Sequence, residues 1–413
     1  MKIGFSLMAW LKYSLLTAAI LLIFTGCWDR IEVEEQAYVV NIGLDKGEGN
    51  SVEVTFEIAN PEATGPKAAA AGDKEQKSEV LTLRAPDIIS AREMAGVSVA
   101  KRPTLTQARN LIVSEEIAKT ENFFTLIREA VRDKEINRDV FLIISQGKAA
   151  EFIRKNKPQL ETRAHKFYDL MARRWRETGY VPISTIHRYL RSAEGEEDLF
   201  LGVYGTTEKS LPKENGREAD YLAGQVDKEG GNETQMIGSA VFREGKMVGK
   251  LTGEETRLAH LMQPIFSNSS MFVTFRDPIS EEHRITARLV KHEKTKARVN
   301  IRSGKTEINV EAPVIIDVLT ISSKIDYIED LTKQKILEKS IEDELNNQAA
   351  SLISKTQNEL KGDPFFWSLD ARKKFWTWKD FKSFSWKKSY PNAKVLVSFN
   401  VTIRGFGKQT KPS

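Results

Sequence analysis

Cys27 is the only thiol in the 413-residue chain, and its neighbours say what it could do. Lys2 and Lys12 precede an apolar run from Leu15 to Phe24, and the small residues Thr25 and Gly26 stand just before the cysteine. That order is the grammar of a secretory signal ending at a cleavage site. The chemistry it points to is attachment of a diacylglyceryl group to the Cys27 thiol through a thioether. The run is too short to span a bilayer, which takes roughly 20 apolar helical residues.

The sequence around Cys27 resembles a bacterial lipobox, with Phe24 at the position usually held by leucine. Two buried acyl chains would hold a protein firmly, since each methylene contributes about 0.8 kcal/mol. The mature chain would then keep 387 residues, with 60 basic against 57 acidic. A balance that even gives no argument for a nucleic-acid partner. With no second cysteine, an internal disulfide, a C-x-x-C centre or a cysteine-based zinc site is excluded.

Other chemistry has little support in the residues. His165, His187, His260, His283 and His292 never fall at the i, i+4 spacing of a helical metal pair. Gly304-Lys305-Thr306 lacks the glycine a phosphate loop needs five positions earlier, where Val299 stands, and reads as a hairpin turn. Neither G-x-S-x-G nor G-x-G-x-x-G occurs. The reading is a non-enzyme without cofactor or metal. One cluster remains: Trp367, Trp376, Trp378 and Trp386 interleave with phenylalanines and with Arg372, Lys373, Lys374, Lys379, Lys382, Lys387 and Lys388. Such a mixture suits a membrane surface or a protein partner, or a core with only its lysines outside.

The elements that must position these residues follow from periodicity. Runs 37–45 and 51–59 predict a hairpin, the second with Val52, Val54, Phe56 and Ile58 inward and Ser51, Glu53, Thr55 and Glu57 wet. Residues 61–78 read as a surface excursion. Then come a strand at 80–83, a helix from Pro86-Asp87, a strand at 111–113, a helix over 122–132 with Phe124, Leu126, Ile127 and Val131 inward, and a strand at 140–144. A further helix carries Phe167, Leu170, Met171 and Trp175. A hairpin turning at Glu244-Gly245 leads to a helix opened by Thr252 to Thr256. A three-strand meander spans 284–320, a helix from Leu331 to Leu360 covers it, and a strand at 395–403 closes it.

The fold expected is α+β, a multi-domain mixed α/β body with a C-terminal antiparallel sheet packed by a long helix. Its parts are a signal peptide at 1–26, an N-terminal α/β domain at 27–195, a connector or small middle domain at 196–283, a C-terminal α+β domain at 284–407 and a tail at 408–413.

These residues resemble the Ger(x)C family, the lipoprotein C subunit of bacterial spore germinant receptors. The resemblance starts at Cys27-Trp28-Asp29-Arg30 and continues through Ile42-Gly43-Leu44-Asp45 and Ile58-Ala59-Asn60-Pro61. It resumes at Gly238-Ser239-Ala240-Val241-Phe242, Met247-Val248-Gly249 and Leu251 to Thr256, and ends with Trp376, Trp386 and Val401-Thr402-Ile403-Arg404-Gly405. Asp363-Pro364-Phe365-Phe366-Trp367 stands where the family usually carries a glycine-bearing stretch. The resemblance implies a non-catalytic subunit at the outer face of the spore inner membrane, anchored through Cys27. Its implied partners are the bilayer and two integral membrane subunits, one transporter-like and one channel-like with a large soluble domain. Trp28, Asp29 and Arg30 would sit at the headgroups, and Trp376 and Trp386 are candidate membrane or partner contacts. The rival reading is a lipid-anchored extracellular solute-binding protein with a cleft of its own.

Overall fold

A computed structural model describes residues 9–18, 32–60, 78–161, 164–195, 199–210, 220–265, 269–302 and 304–407. Two sheets organise them. The first has nine strands: β1 (Gln36–Lys46), β2 (Val52–Ala59), β3 (Ser78–Ala85), β4 (Arg102–Thr104), β5 (Asn110–Ser114), β6 (Phe141–Ser145), β7 (Phe200–Thr206), β8 (Gln235–Arg243) and β9 (Lys246–Leu251). Their order is β3-β2-β1-β5-β6-β7-β8-β9, with β4 paired to the start of β1. The centre, β1-β5-β6-β7, is parallel, and the flanks are antiparallel.

The expected first hairpin forms, but its outer face is not wet. Thr55 and Glu57 are buried, because the helices Ala149–Lys155 and Ala164–Ala172 cover that face. A parallel centre needs crossover helices, and these coat both sides. Glu57 is made tolerable there by Asn41 Nδ2 at 2.5 Å and Ser78 Oγ at 2.8 Å, although burial still raises its pKa. Two helical stripes are rotated from expectation for the same reason. Phe123 rather than Phe124 is the fully buried ring, and Tyr168 is inside while Leu170 is exposed. Residues 61–77 lie outside the described residues, between β2 and β3.

The middle of the chain, read as a connector or small module at 196–283, divides between the sheets. It supplies β7, β8 and β9 to the first and β10 (Ser269–Arg276) to the second, with the helix Gly253–Met262 between them. That helix starts as the sequence predicts: Thr252 Oγ1 accepts the Glu255 N–H, and the Glu255 carboxylate accepts that of Thr252. The β8–β9 turn places Glu244 at φ 52 and Gly245 at φ 81. A Cβ on Gly245 would also stand 2.7 Å from Phe124 Cβ. Gly245→Ala should therefore cost about 2 kcal/mol or more of unfolding free energy, combining left-handed strain with overpacking; an unchanged urea midpoint would refute this.

The second sheet contains β10, β11 (Arg284–Lys291), β12 (Lys296–Arg302), β13 (Lys305–Ile321) and β14 (Lys394–Gly405). It is not a simple meander: β13 is long enough to pair with β12 through its first half and β11 through its second. Nor is it wholly antiparallel, since β14 runs parallel to β13. The long helix Leu331–Asn358 lies in that connection, and a parallel pair requires such a crossover. Leu337, Ile341, Leu345, Ala349, Leu352 and Ile353 face the sheet as expected, whereas Leu331 in the first turn is exposed.

The helix also serves the edge of β14. Asn346 Oδ1 accepts the Phe399 N–H at 2.8 Å, Glu342 that of Val401 at 3.3 Å and Glu338 that of Ile403 at 3.2 Å. Four helical residues advance about 6 Å and two strand residues about 6.6 Å, so the two ladders match. Leu199, Leu201, Val241 and Leu251 of the first sheet pack into the same core as the second sheet and this helix.

Candidate functional site

Cys27, Trp28, Asp29 and Arg30 lie outside the described residues. The two remaining candidates separate sharply. Trp386 is 2% exposed and Trp376 is 96% exposed. Trp386 is thus not a surface contact, and its burial has a polar cause: Nε1 donates to Asp363 Oδ2 at 3.1 Å.

Asp363 organises the segment between the long helix and β14. Fully buried, it accepts the backbone N–H of Phe365 at 2.7 Å and of Ser368 at 3.1 Å besides the Trp386 indole. Burial raises its carboxyl to about 6 against those donors, which pull it down. Trp367 stacks on Phe365 at 4.4 Å between centroids, and its Nε1 donates to Met262 O at 3.1 Å. Leu199 N donates to Asp363 O and Gln263 Nε2 to Pro364 O. The segment therefore clasps the entry of β7 and the end of the helix Gly253–Met262. Phe366 takes φ 60, so the turn keeps the left-handed backbone that glycine adopts freely.

That helix end is densely satisfied. Lys291 Nζ donates to Leu261 O at 2.6 Å and Gln263 O at 3.2 Å, and Thr295 Oγ1 donates to Leu261 O. Burial brings the Lys291 ammonium down to about 7. His260 is buried nearby with Nε2 3.1 Å from Val181 O, so that nitrogen carries the proton, and burial lowers its pKa to about 4. These groups hold elements together. Among the described residues no group of three or more His, Cys, Asp or Glu is placed to hold a metal ion.

Outside the clasp, Thr377 and Asp380 form a capping box for the helix Trp378–Phe384. It presents Trp378 beside Arg372 and Lys382, whose cationic groups lie 5.6 and 6.0 Å from the ring centroid. Trp376, Lys373, Lys374, Lys379 and Lys382 are exposed around it. Composition placed these tryptophans together but could not separate inner from outer; the buried acid is the missing signal.

Residues 29–205 match the model of the spore germination protein N-terminal domain, and residues 237–407 that of the spore germination B3/GerAC-like C-terminal domain. The chain belongs to the Ger(x)C spore germination family. It is 24% identical to spore germination protein KC of Bacillus subtilis (strain 168), over 95% of this chain and 94% of that protein. To spore germination protein B3 of the same organism it is 22% identical, over 85% and 86%. The crystal structure of the GerBC protein shares the fold with a TM-score of 0.52 and 16% identity, covering 88% of this chain and 96% of that one.

The Ger(x)C motifs quoted from the sequence do structural work. Asp45 accepts the N–H groups of Ala149 and Ala150 at 2.7 and 2.9 Å, capping a crossover helix. A Cβ on Gly249 would stand 2.5 Å from Leu360 Cδ2, so that position lets the turn just after the long helix approach the first sheet. Among the described residues no helix is long and apolar enough to cross a membrane.

Proposed function

We propose that the protein is a non-catalytic, lipid-anchored C subunit of a spore germinant receptor, acylated at Cys27 and held at the outer face of the spore inner membrane. It assembles with and stabilises integral membrane partners, one transporter-like and one channel-like, and so supports nutrient-triggered germination. The observation that carries this reading is the succession of both family domains along the chain, with end-to-end similarity to spore germination protein KC. Trp28, Asp29 and Arg30 follow the anchor directly at the headgroups.

The test compares native protein with Cys27→Ala in spore inner membranes. The native protein should co-purify with transporter-like and channel-like membrane proteins, and the variant should leave the membrane fraction and lose them. An acylated protein that recovers no such partner would sink the receptor reading; a variant still firmly membrane-bound would sink the anchor.

A further inference from the structure

In the first sheet β1, β4, β5, β6 and β7 all run parallel, so their starts lie along one edge. Basic side chains stand there: Lys101 and Arg102 at the start of β4, Arg109 before β5 and Arg138 before β6. All four are exposed, and among the described residues none has a carboxylate within salt-bridge distance. At the opposite edge, where the strands end, cations and acids are matched: Lys46 pairs with Glu116, Arg84 with Glu48 and Lys148 with Glu53, and Lys209 stands beside Glu208 in sequence.

The tryptophan segment belongs to the basic edge. It is tied to the entry of β7 by the 2.8 Å Leu199–Asp363 backbone bond, and Lys387 pairs with Glu244 in the β8–β9 turn. β8 is antiparallel to β7, with Phe242 opposite Phe200, so that turn lies at the same edge. A cleft of about 520 Å³ opens there, lined by Arg188, Arg191, Arg372, Ile265, Leu369 and Trp378. The carboxylates at this edge are Glu244 on Lys387, Glu121 on Lys246, Asp370 on Lys373, Asp133 and Glu135 on Arg92, and exposed Glu32, Glu34 and Glu35 before β1, Asp139, Glu194 and Asp380. The tether leaves this edge too: eight residues separate Cys27 from the start of β1, and the nine steps between the two reach at most about 30 Å.

We propose that this strand-start edge is a docking face for an anionic lipid bilayer, with Trp376 and Trp378 entering the interface and Arg102, Arg109, Arg138 and the segment's lysines lying over the headgroups. Exposed indoles belong at the headgroup level, and unpaired cations over an anionic leaflet add attraction that fades within a Debye length, about 10 Å at 0.1 M salt. Exposed cations without ion pairs, a tryptophan ring almost wholly in solvent and the shared edge with the tether favour a membrane over a protein partner. The orientation rests on the anchor reading of Cys27; the binding does not.

The experiment uses the chain from Trp28 onward, which carries no lipid and keeps every strand of both sheets. Of the described residues removed here, 9–18, Ala9 is half-buried and the others are exposed. Sedimentation with phosphatidylglycerol–phosphatidylcholine vesicles at 0.1 M salt should show binding that pure phosphatidylcholine vesicles lack. Trp376→Ala should weaken it about tenfold, and Arg109→Gln with Arg138→Gln about fivefold per charge removed, each variant retaining the parent urea midpoint. Equal binding to both vesicle types, no binding, or loss from only one of the two sets of substitutions overturns a single docking face. Such a failure leaves Cys27 anchoring intact, since no acyl chain is present.

Discussion

Trp367→Ala should lower the unfolding free energy by about 3–5 kcal/mol, the range for removing a large aromatic from a packed core. Trp367 is fully buried, stacks on Phe365, and supplies the N–H that satisfies Met262 O at the end of the helix Gly253–Met262. Truncation leaves both a cavity and an orphaned carbonyl. Trp376→Ala, nine residues on, should stay within about 0.5 kcal/mol, because that ring is almost wholly in solvent. Urea denaturation of the two variants side by side decides the matter. Equal losses would mean that the clasp does not hold as described.

The second large effect is a pair of opposed pH dependences. His260 titrates near 6.5 when unfolded but near 4 in the fold. Its contribution is complete above pH 6.5 and is lost as pH falls toward 4, by about 3 kcal/mol at roughly 1.4 kcal/mol per unit. Asp363 runs the other way: its pKa rises from 3.8 to about 6 on folding. The folded state then holds the extra proton between those values, so stability is greatest below 3.8 and declines by about 3 kcal/mol as pH climbs to 6. Asp363→Asn removes the second effect alone. Its cost relative to the parent should be larger at pH 4.5 than at pH 6.5 by about 2 kcal/mol, read from urea curves at both values. A cost independent of pH would show that Asp363 does not titrate in this window.

Much of this arrangement is legible in the residues. Alternation at 51–59, the Glu244-Gly245 turn, the Thr252 to Glu255 cap and the apolar stripe from Leu337 to Ile353 each act through neighbours in sequence, and each forms where expected. What sequence hides is who covers whom. Glu57 and Thr55 look solvent-facing until crossover helices are laid over them, and Leu331 looks inward until the helix start overshoots the sheet. The parallel pairing of β14 depends on a partner far back in the chain, so local pattern carries no trace of it. Trp386 and Trp376 differ only because one meets Asp363 in three dimensions. The basic residues of the strand-start edge are hidden for a similar reason: Arg102, Arg109 and Arg138 are scattered in sequence and align only because their strands run parallel.

The ladder that Glu338, Glu342 and Asn346 build along β14 has a consequence for assembly. A strand at a sheet border ordinarily offers its free N–H groups to any extended chain, which is how sheets grow into fibrils and how peptides add as extra strands. Here alternate N–H groups of that border are already taken by side chains of the protein's own helix. Between copies of this chain, this border cannot nucleate polymerisation by strand addition, and a neighbour meeting it must join through side chains instead.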